Sequence, residues 1–242
     1  MRHWIDVAAA VAASASPLEA ASVVFGVLYL WLAIRENIWC WAAGLVGVLL
    51  SLVLFWERRL YMDSLLQVFY AVMSVYGWYE WRYGGKRGEG VPIQVWTATT
   101  HAAALTGIAL LTAAFGLYLH TYTNDAMPFV DSFTTIGALV TTYMVAKKVL
   151  ENWVYWLVID AVSAAMYVSR GLYLYAALFA VYLVMVVIGL RAWTRQWRAE
   201  QGAAAMASSR PGAGDHPRVL AADPSQPPAP ARASAGLARD GR

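Results

Sequence analysis

Residues 18–34, 38–56, 60–81, 99–122, 130–147, 151–168 and 171–193 are seven mostly apolar stretches, each near the length of about 20 residues at which an α-helix crosses a bilayer. Within hydrocarbon the backbone must satisfy its own hydrogen bonds, which restricts such a chain to a helical bundle. Composition agrees: 60% of the 242 residues are apolar and 14% charged, far from the balance of a soluble domain. The expected fold is therefore an all-α membrane protein with seven transmembrane helices.

Polar breaks divide the stretches. Residues 82–98 contain Arg82-Tyr-Gly-Gly-Lys-Arg-Gly-Glu-Gly, a loop that must lie outside the hydrocarbon. His120 to Pro128 form a second break with turn residues Asn124 and Asp125. Residues 1–17 read as a short tail. Residues 199–242, rich in Ala, Gly, Pro and Ser, read as a disordered one. Lys and Arg are unequally shared between the two sides. Arg2, Arg58, Arg59 and Arg170 fall on one side, and Arg35, Arg82, Lys86, Arg87, Lys147, Lys148, Arg191, Arg195 and Arg198 on the other. The positive-inside rule puts the second group in the cytoplasm, with the N-terminus outside and the C-terminus inside.

The chain also resembles itself. Glu36-Asn37-Ile38-Trp39-Cys40-Trp41 has a counterpart in Glu151-Asn152-Trp153-Val154-Tyr155-Trp156. Arg58, Leu60, Tyr61, Tyr70, Gly77 and Trp81 have counterparts in Arg170, Leu172, Tyr173, Tyr182, Gly189 and Trp193. The first pair of blocks is offset by 115 residues and the second by 112, so one gap aligns them. Two three-helix bundles, 18–81 and 130–198, follow, with helix four inside a linker over 82–129. An odd helix between the bundles makes the repeats parallel, with a pseudo-two-fold near the membrane normal. Paired halves around a central site are a plan for small-molecule carriers.

Polar side chains inside apolar helices carry the candidate site, because lipid leaves them without partners. Asn152 and Trp156 are four apart and share a helix face, as do Asn37 and Trp41. Trp153 adds a ring beside them. Gln67 lies two turns into helix three, where an amide needs hydrogen bonds or a wet cavity. These residues describe a pocket of aromatic walls and amides, suited to an aromatic, nucleoside-like solute that is cationic or neutral. Glu36 and Glu151 read as helix-start carboxylates, and Asp63 as a partner of Arg59. The threonines of helix five read as contacts between helices. Asp63, Asp131 and Asp160 are expected to be structural, and Cys40 a buried apolar residue.

Other functions lack their parts. The sequence has no phosphate-binding loop, no lysine in helix seven for a Schiff base, no metal-ligand spacing among His3, His101, His120 and His216, and no nucleophile motif. A net charge of +3, spread between apolar stretches, gives no nucleic-acid face. Neither an enzyme nor a cofactor is expected. A membrane sensor is the rival from another class, but the tail shows no partner motif.

Glu151-Asn-Trp-x-x-Trp156, following Tyr143-Met144 and Lys147-Lys148, resembles the PnuC family of bacterial vitamin transporters. Leu60-Tyr61-Met62-Asp63-Ser64-Leu65-Leu66-Gln67 leading to Tyr76-Gly77-Trp78-Tyr79-Glu80-Trp81 is similar to that family's third core helix. The resemblance covers about residues 18–198. It implies a 3+1+3 helix arrangement like that of the SWEET sugar carriers, often trimeric, in the bacterial inner membrane. It implies facilitated diffusion of nicotinamide riboside, which a cytoplasmic kinase then traps for NAD synthesis, with thiamine and riboflavin as the alternatives among relatives. It places substrate contacts at Gln67, Asn152 and Trp156, with Trp153 completing the motif. Asn37 and Trp41 follow only through the internal repeat.

Overall fold

The computed structural model describes residues 16–59, 61–85 and 88–208. The expected N-terminal tail, Leu60, the Lys86-Arg87 pair and the tail beyond Ser208 lie outside the described residues, except for Ser16 and Pro17. Seven helices follow in order: α1 Pro17–Ile34, α2 Trp39–Glu57, α3 Tyr61–Tyr83, α4 Ala98–Tyr122, α5 Pro128–Ala146, α6 Asn152–Ser169 and α7 Tyr173–Ser208. Five of them, α1, α2, α4, α5 and α7, are long and apolar enough to cross a membrane. The other two carry the polar residues: Asp63, Gln67, Glu80 and Arg82 on α3, and Asn152 and Asp160 on α6. The chain divides into compact units at 1–201 and 202–242, and the cavities and side-chain contacts described below lie in the first.

Local chemistry sets the helix ends. Ser16 accepts a hydrogen bond from Glu19 N and Pro17 occupies the first turn of α1, a position where a missing N–H costs nothing. At the far end Glu36 adopts φ 52°, and the N–H groups of Glu36 and Asn37 close back onto Ala33 and Leu32. Helix α5 ends identically, with Lys148 at φ 49° and bonds from Lys148 and Val149 to Val145 and Met144. Both are left-handed C-terminal caps held by non-glycine residues. Helix α7 runs to Ser208, past the expected boundary at 198. Its last turns, Gln201-Gly-Ala-Ala-Ala-Met-Ala-Ser208, are alanine-rich, and alanine is the strongest helix former.

Helix α2 packs on α1 and α3, α5 on α4 and α6, and α3 also meets α5. Helix α4 buries only Ile108 and Gly116. At one end of the bundle the indole N–H of Trp81 donates to Val145 O (3.2 Å) and that of Trp193 to Ala33 O (3.1 Å). Donors and acceptors are each separated by 112 residues. The same step relates the ion pairs Arg58–Glu19 (3.0 Å) and Arg170–Asp131 (3.2 Å) at the opposite end. It also relates Trp41 against Gly77 to Trp153 against Gly189.

Lys148 and Glu36 are themselves 112 residues apart and pair with each other at 3.1 Å. Burial pushes the Glu36 carboxyl up, and Lys148 opposes this without cancelling it. Lys148 also sits over the Trp81 ring. Beside it Lys147 pairs with Glu80 at 2.6 Å. The pair is part-buried, so cutting one side leaves a charge poorly compensated, at a cost below the roughly 3–5 kcal/mol of a fully buried pair. Lys148→Met should therefore lower the melting temperature of the purified protein sharply, and the exchange Glu36→Lys with Lys148→Glu should recover most of it. No recovery would show that the pairing is not what stabilises this end.

Three local expectations are revised. Glu36 and Glu151 cap no helix start through their side chains. Glu36 pairs with Lys148, while Glu151 lies 3.6 Å from His101 and accepts from Trp96 N. Asp63 has no ion pair with Arg59 among the described residues, while the adjacent arginine, Arg58, pairs with Glu19. The hydroxyls of Thr134, Thr141 and Thr142 bond carbonyls in their own helix rather than a neighbour, the cheapest partner for a hydroxyl in a helix. The loop after α3 is less polar in place than its sequence suggests. Val91 and Ile93 are buried, and Gln94 bridges to Val149 through backbone bonds to Lys148 and Leu150.

Candidate functional site

A cavity of about 770 Å³ lies among α1, α3, α5, α6 and α7, within the size range of small-molecule sites. Helix α6 provides its main wall. Asn152, Trp156, Asp160 and Ser163 follow at helical spacing, so one face of one helix presents an amide, an indole, a carboxylate and a hydroxyl to the same space. Tyr29, Tyr70, Tyr167 and Tyr182 face it from other positions. Among the described residues no Lys or Arg lines it.

Asn152 is fully buried, and its amide donates to Val149 O at 2.6 Å. That bond fixes the side chain, yet Oδ1 has no partner among the described residues. A buried acceptor without a donor is costly, and here it borders a cavity. The Trp153 indole N–H is also unpartnered. Its ring stands on Gly189 and edge-on to Trp193, with centroids 5.4 Å apart. Trp156 is half-buried and lines both this cavity and a neighbouring one of about 420 Å³. Trp153 thus anchors α6 to α7 and borders the large cavity, while Trp156 borders both cavities.

The other sequence candidates lie apart from these. Gln67 is half-buried and lines neither cavity, although Asp63, Leu66 and Tyr70 on the same helix line the large one. Asn37 Oδ1 accepts from Trp39 N at the start of α2. Trp41 lines the smaller cavity, with its ring on Gly77 and edge-on to Trp81.

These contacts make Trp41 the counterpart of Trp153, not of Trp156. One offset of 112 then serves the whole chain without a gap. At that offset Asn152, Trp156 and Asp160 of α6 correspond to Cys40, Gly44 and Val48 of α2. The polar wall exists in one half only. Sequence comparison missed this because the matching Glu-Asn pairs drew the alignment three residues out of step. The spacing from Trp41 to Gly77 and from Trp153 to Gly189 is the signal that corrects it.

At the opposite end Arg170 bridges Asp125 and Asp131, at 3.4 and 3.2 Å. Burial alone would raise the Asp125 carboxyl, but the Met127 N–H, Asp131 and Arg170 outweigh it and hold it low. Asp125 and Asp131 also line the large cavity. No group of His, Cys, Asp and Glu suited to a metal ion occurs among the described residues.

Residues 16–195 match the family model described as nicotinamide mononucleotide transporter. The chain belongs to that family. The nicotinamide riboside transporter PnuC of Escherichia coli (strain K12) is 28% identical over 214 residues, covering 78% of this chain and 89% of that protein. The riboflavin/roseoflavin transporter RibM of Streptomyces davaonensis is 27% identical over 175 residues, covering 70% and 81%. A crystal structure of the vitamin B3 transporter PnuC shares the fold, with a TM-score of 0.60 at 21% identity over 79% of this chain and 86% of that one. Family membership thus agrees with an all-helical membrane protein whose relatives are carriers, while the substrates those relatives are named for differ.

Proposed function

We propose that the chain carries nicotinamide riboside across the bacterial inner membrane by facilitated diffusion, with the large cavity as its binding site. The lining of that cavity carries the reading: indole, phenol, amide and carboxylate groups, without a Lys or Arg among the described residues. A nucleotide phosphate desolvated there would have no cation to meet it. A nucleoside with a pyridinium ring meets aromatic faces and carboxylates instead. The unphosphorylated compound therefore suits this site better than the mononucleotide in the family's description. Asn152 Oδ1 would accept from a ribose or amide donor, and Trp156 would stack on the ring. Trp153 and Trp41 would hold α6 and α2 against the glycines of α7 and α3. Gln67 would reach the solute only in another state of the cycle, and Asn37 would keep its helix-start role.

The architecture that goes with this function is the 3+1+3 plan, with all seven helices crossing the membrane. Bundles at 18–81 and 130–198 flank the linker 82–129, as in the SWEET carriers. The recurrence of contacts at 112 residues and the sparse burial of α4 support it. The Lys and Arg distribution supports a cytoplasmic C-terminus. Rocking of the bundles would expose the cavity to each side in turn. A homotrimer and a downstream cytoplasmic kinase complete the proposal by resemblance.

Riboflavin is the second reading, favoured by the likeness to RibM. Uptake of labelled nicotinamide riboside into proteoliposomes separates the readings. Saturable uptake, blocked by the unlabelled compound but not by riboflavin or thiamine, is expected. Uptake of riboflavin or thiamine alone would replace the substrate. Binding without uptake would replace the carrier with a sensor.

A further inference from the structure

Four carboxylates line the large cavity: Asp63, Asp125, Asp131 and Asp160. Asp125 and Asp131 share Arg170, and Asp63 is exposed. Asp160 differs from all three. It is only 5% exposed, sits in the middle of α6, and has neither an ion pair nor a hydrogen-bond donor among the described residues. An ionised carboxylate so placed is expensive unless something in the cavity answers it. Trp156 lies one turn before it on the same face, and Asn152 one turn before that. At 1.5 Å per residue the row spans about 12 Å, room for a ring on the indole and a sugar at the amide.

We propose that Asp160 is the specificity-determining residue of this site: its carboxylate is the counter-charge that makes the cavity select a cationic aromatic solute over a neutral one. The inference rests on the carrier reading above and adds the group that reads charge. At the 112-residue offset Asp160 corresponds to Val48, so the first half supplies no carboxylate equivalent to it by the repeat. The cation is held from one side. Its ring face meets Trp156, and its charge meets Asp160 within the same wall.

The test compares two ligands of nearly the same shape: nicotinamide riboside, whose ring is a pyridinium, and its dihydropyridine form, which is neutral. Binding of both is measured by calorimetry on the full chain, as wild type, Asp160→Asn and Asp160→Glu. The wild type should prefer the pyridinium. Asp160→Asn should weaken the pyridinium by roughly 10- to 100-fold while leaving the neutral form unchanged, and Asp160→Glu should keep most of the preference. Equal loss of both ligands in Asp160→Asn would reduce Asp160 to a structural role, and no loss of either would show that it reads no charge; both overturn the proposal. If Asp160→Asn does not fold, the wild type still decides, since equal affinity for the two forms overturns the proposal. A wild type that binds neither form refutes the nicotinamide riboside reading on its own. Thiamine and riboflavin then serve as the charged and neutral pair: preference for thiamine that is lost in Asp160→Asn supports the counter-charge, and preference for riboflavin overturns it.

Discussion

Trp156→Ala should abolish measurable uptake while leaving the protein folded. The indole is half-buried between the two cavities and is not wedged against a glycine as Trp153 is. Its removal therefore costs little packing. What it removes is a stacking face for the solute, and an aromatic anchor in a desolvated pocket is worth about 2–4 kcal/mol of affinity. Trp156→Phe should retain part of the binding, since a smaller ring face remains. Asn152→Ala should also cost transport but with a second effect, because it frees Val149 O from its 2.6 Å bond. The check is uptake in proteoliposomes beside the melting temperature of each variant. If Trp156→Ala lowers the melting temperature as much as Trp153→Ala does, Trp156 belongs to the scaffold and not to the site.

The largest structural effect is expected at two glycines. A side chain at Gly77 would collide with the Trp41 ring, and one at Gly189 with the Trp153 ring. Neither ring can retreat: each is fully buried and edge-on to a further tryptophan, Trp81 or Trp193. Overpacking a close-packed core commonly costs about 1–3 kcal/mol, and here the clash falls on rings that tie helices together. Gly77→Val and Gly189→Val should therefore yield little folded protein, judged by size-exclusion profile and melting temperature. Pairing Gly189→Val with Trp153→Leu should recover folding in part. Absence of any recovery would mean that the glycine is needed for some reason other than room for the indole.

Much of the fold was legible because lipid narrows the choices. Seven apolar stretches gave seven helices, with ends within a few residues of those observed except at the end of α7. The misplaced boundary at the end of α7 came from reading Ala and Gly as linker composition, when the alanine run continues a helix. Of the candidate residues, those on α6 come together on one cavity while Gln67 and Asn37 do not line it, and the repeat was read three residues out of step. Asn152, Trp153 and Trp156 line one cavity. The glutamate roles failed to show in sequence because their partners, Lys148 and His101, come from other segments. Asp160 has no basic neighbour in the sequence, and only the fold shows that it lines a cavity.

The crossed indole bonds bear on speed. Trp81 reaches from α3 to the end of α5, and Trp193 from α7 to the end of α1. Any motion that parts these helices at that end breaks both bonds at once, together with the Glu36–Lys148 and Glu80–Lys147 pairs. Under the proposed alternating access, opening that end would have to break all four contacts, which predicts a high enthalpy of activation. Turnover should then climb steeply with temperature, and the closed end should leak little between cycles.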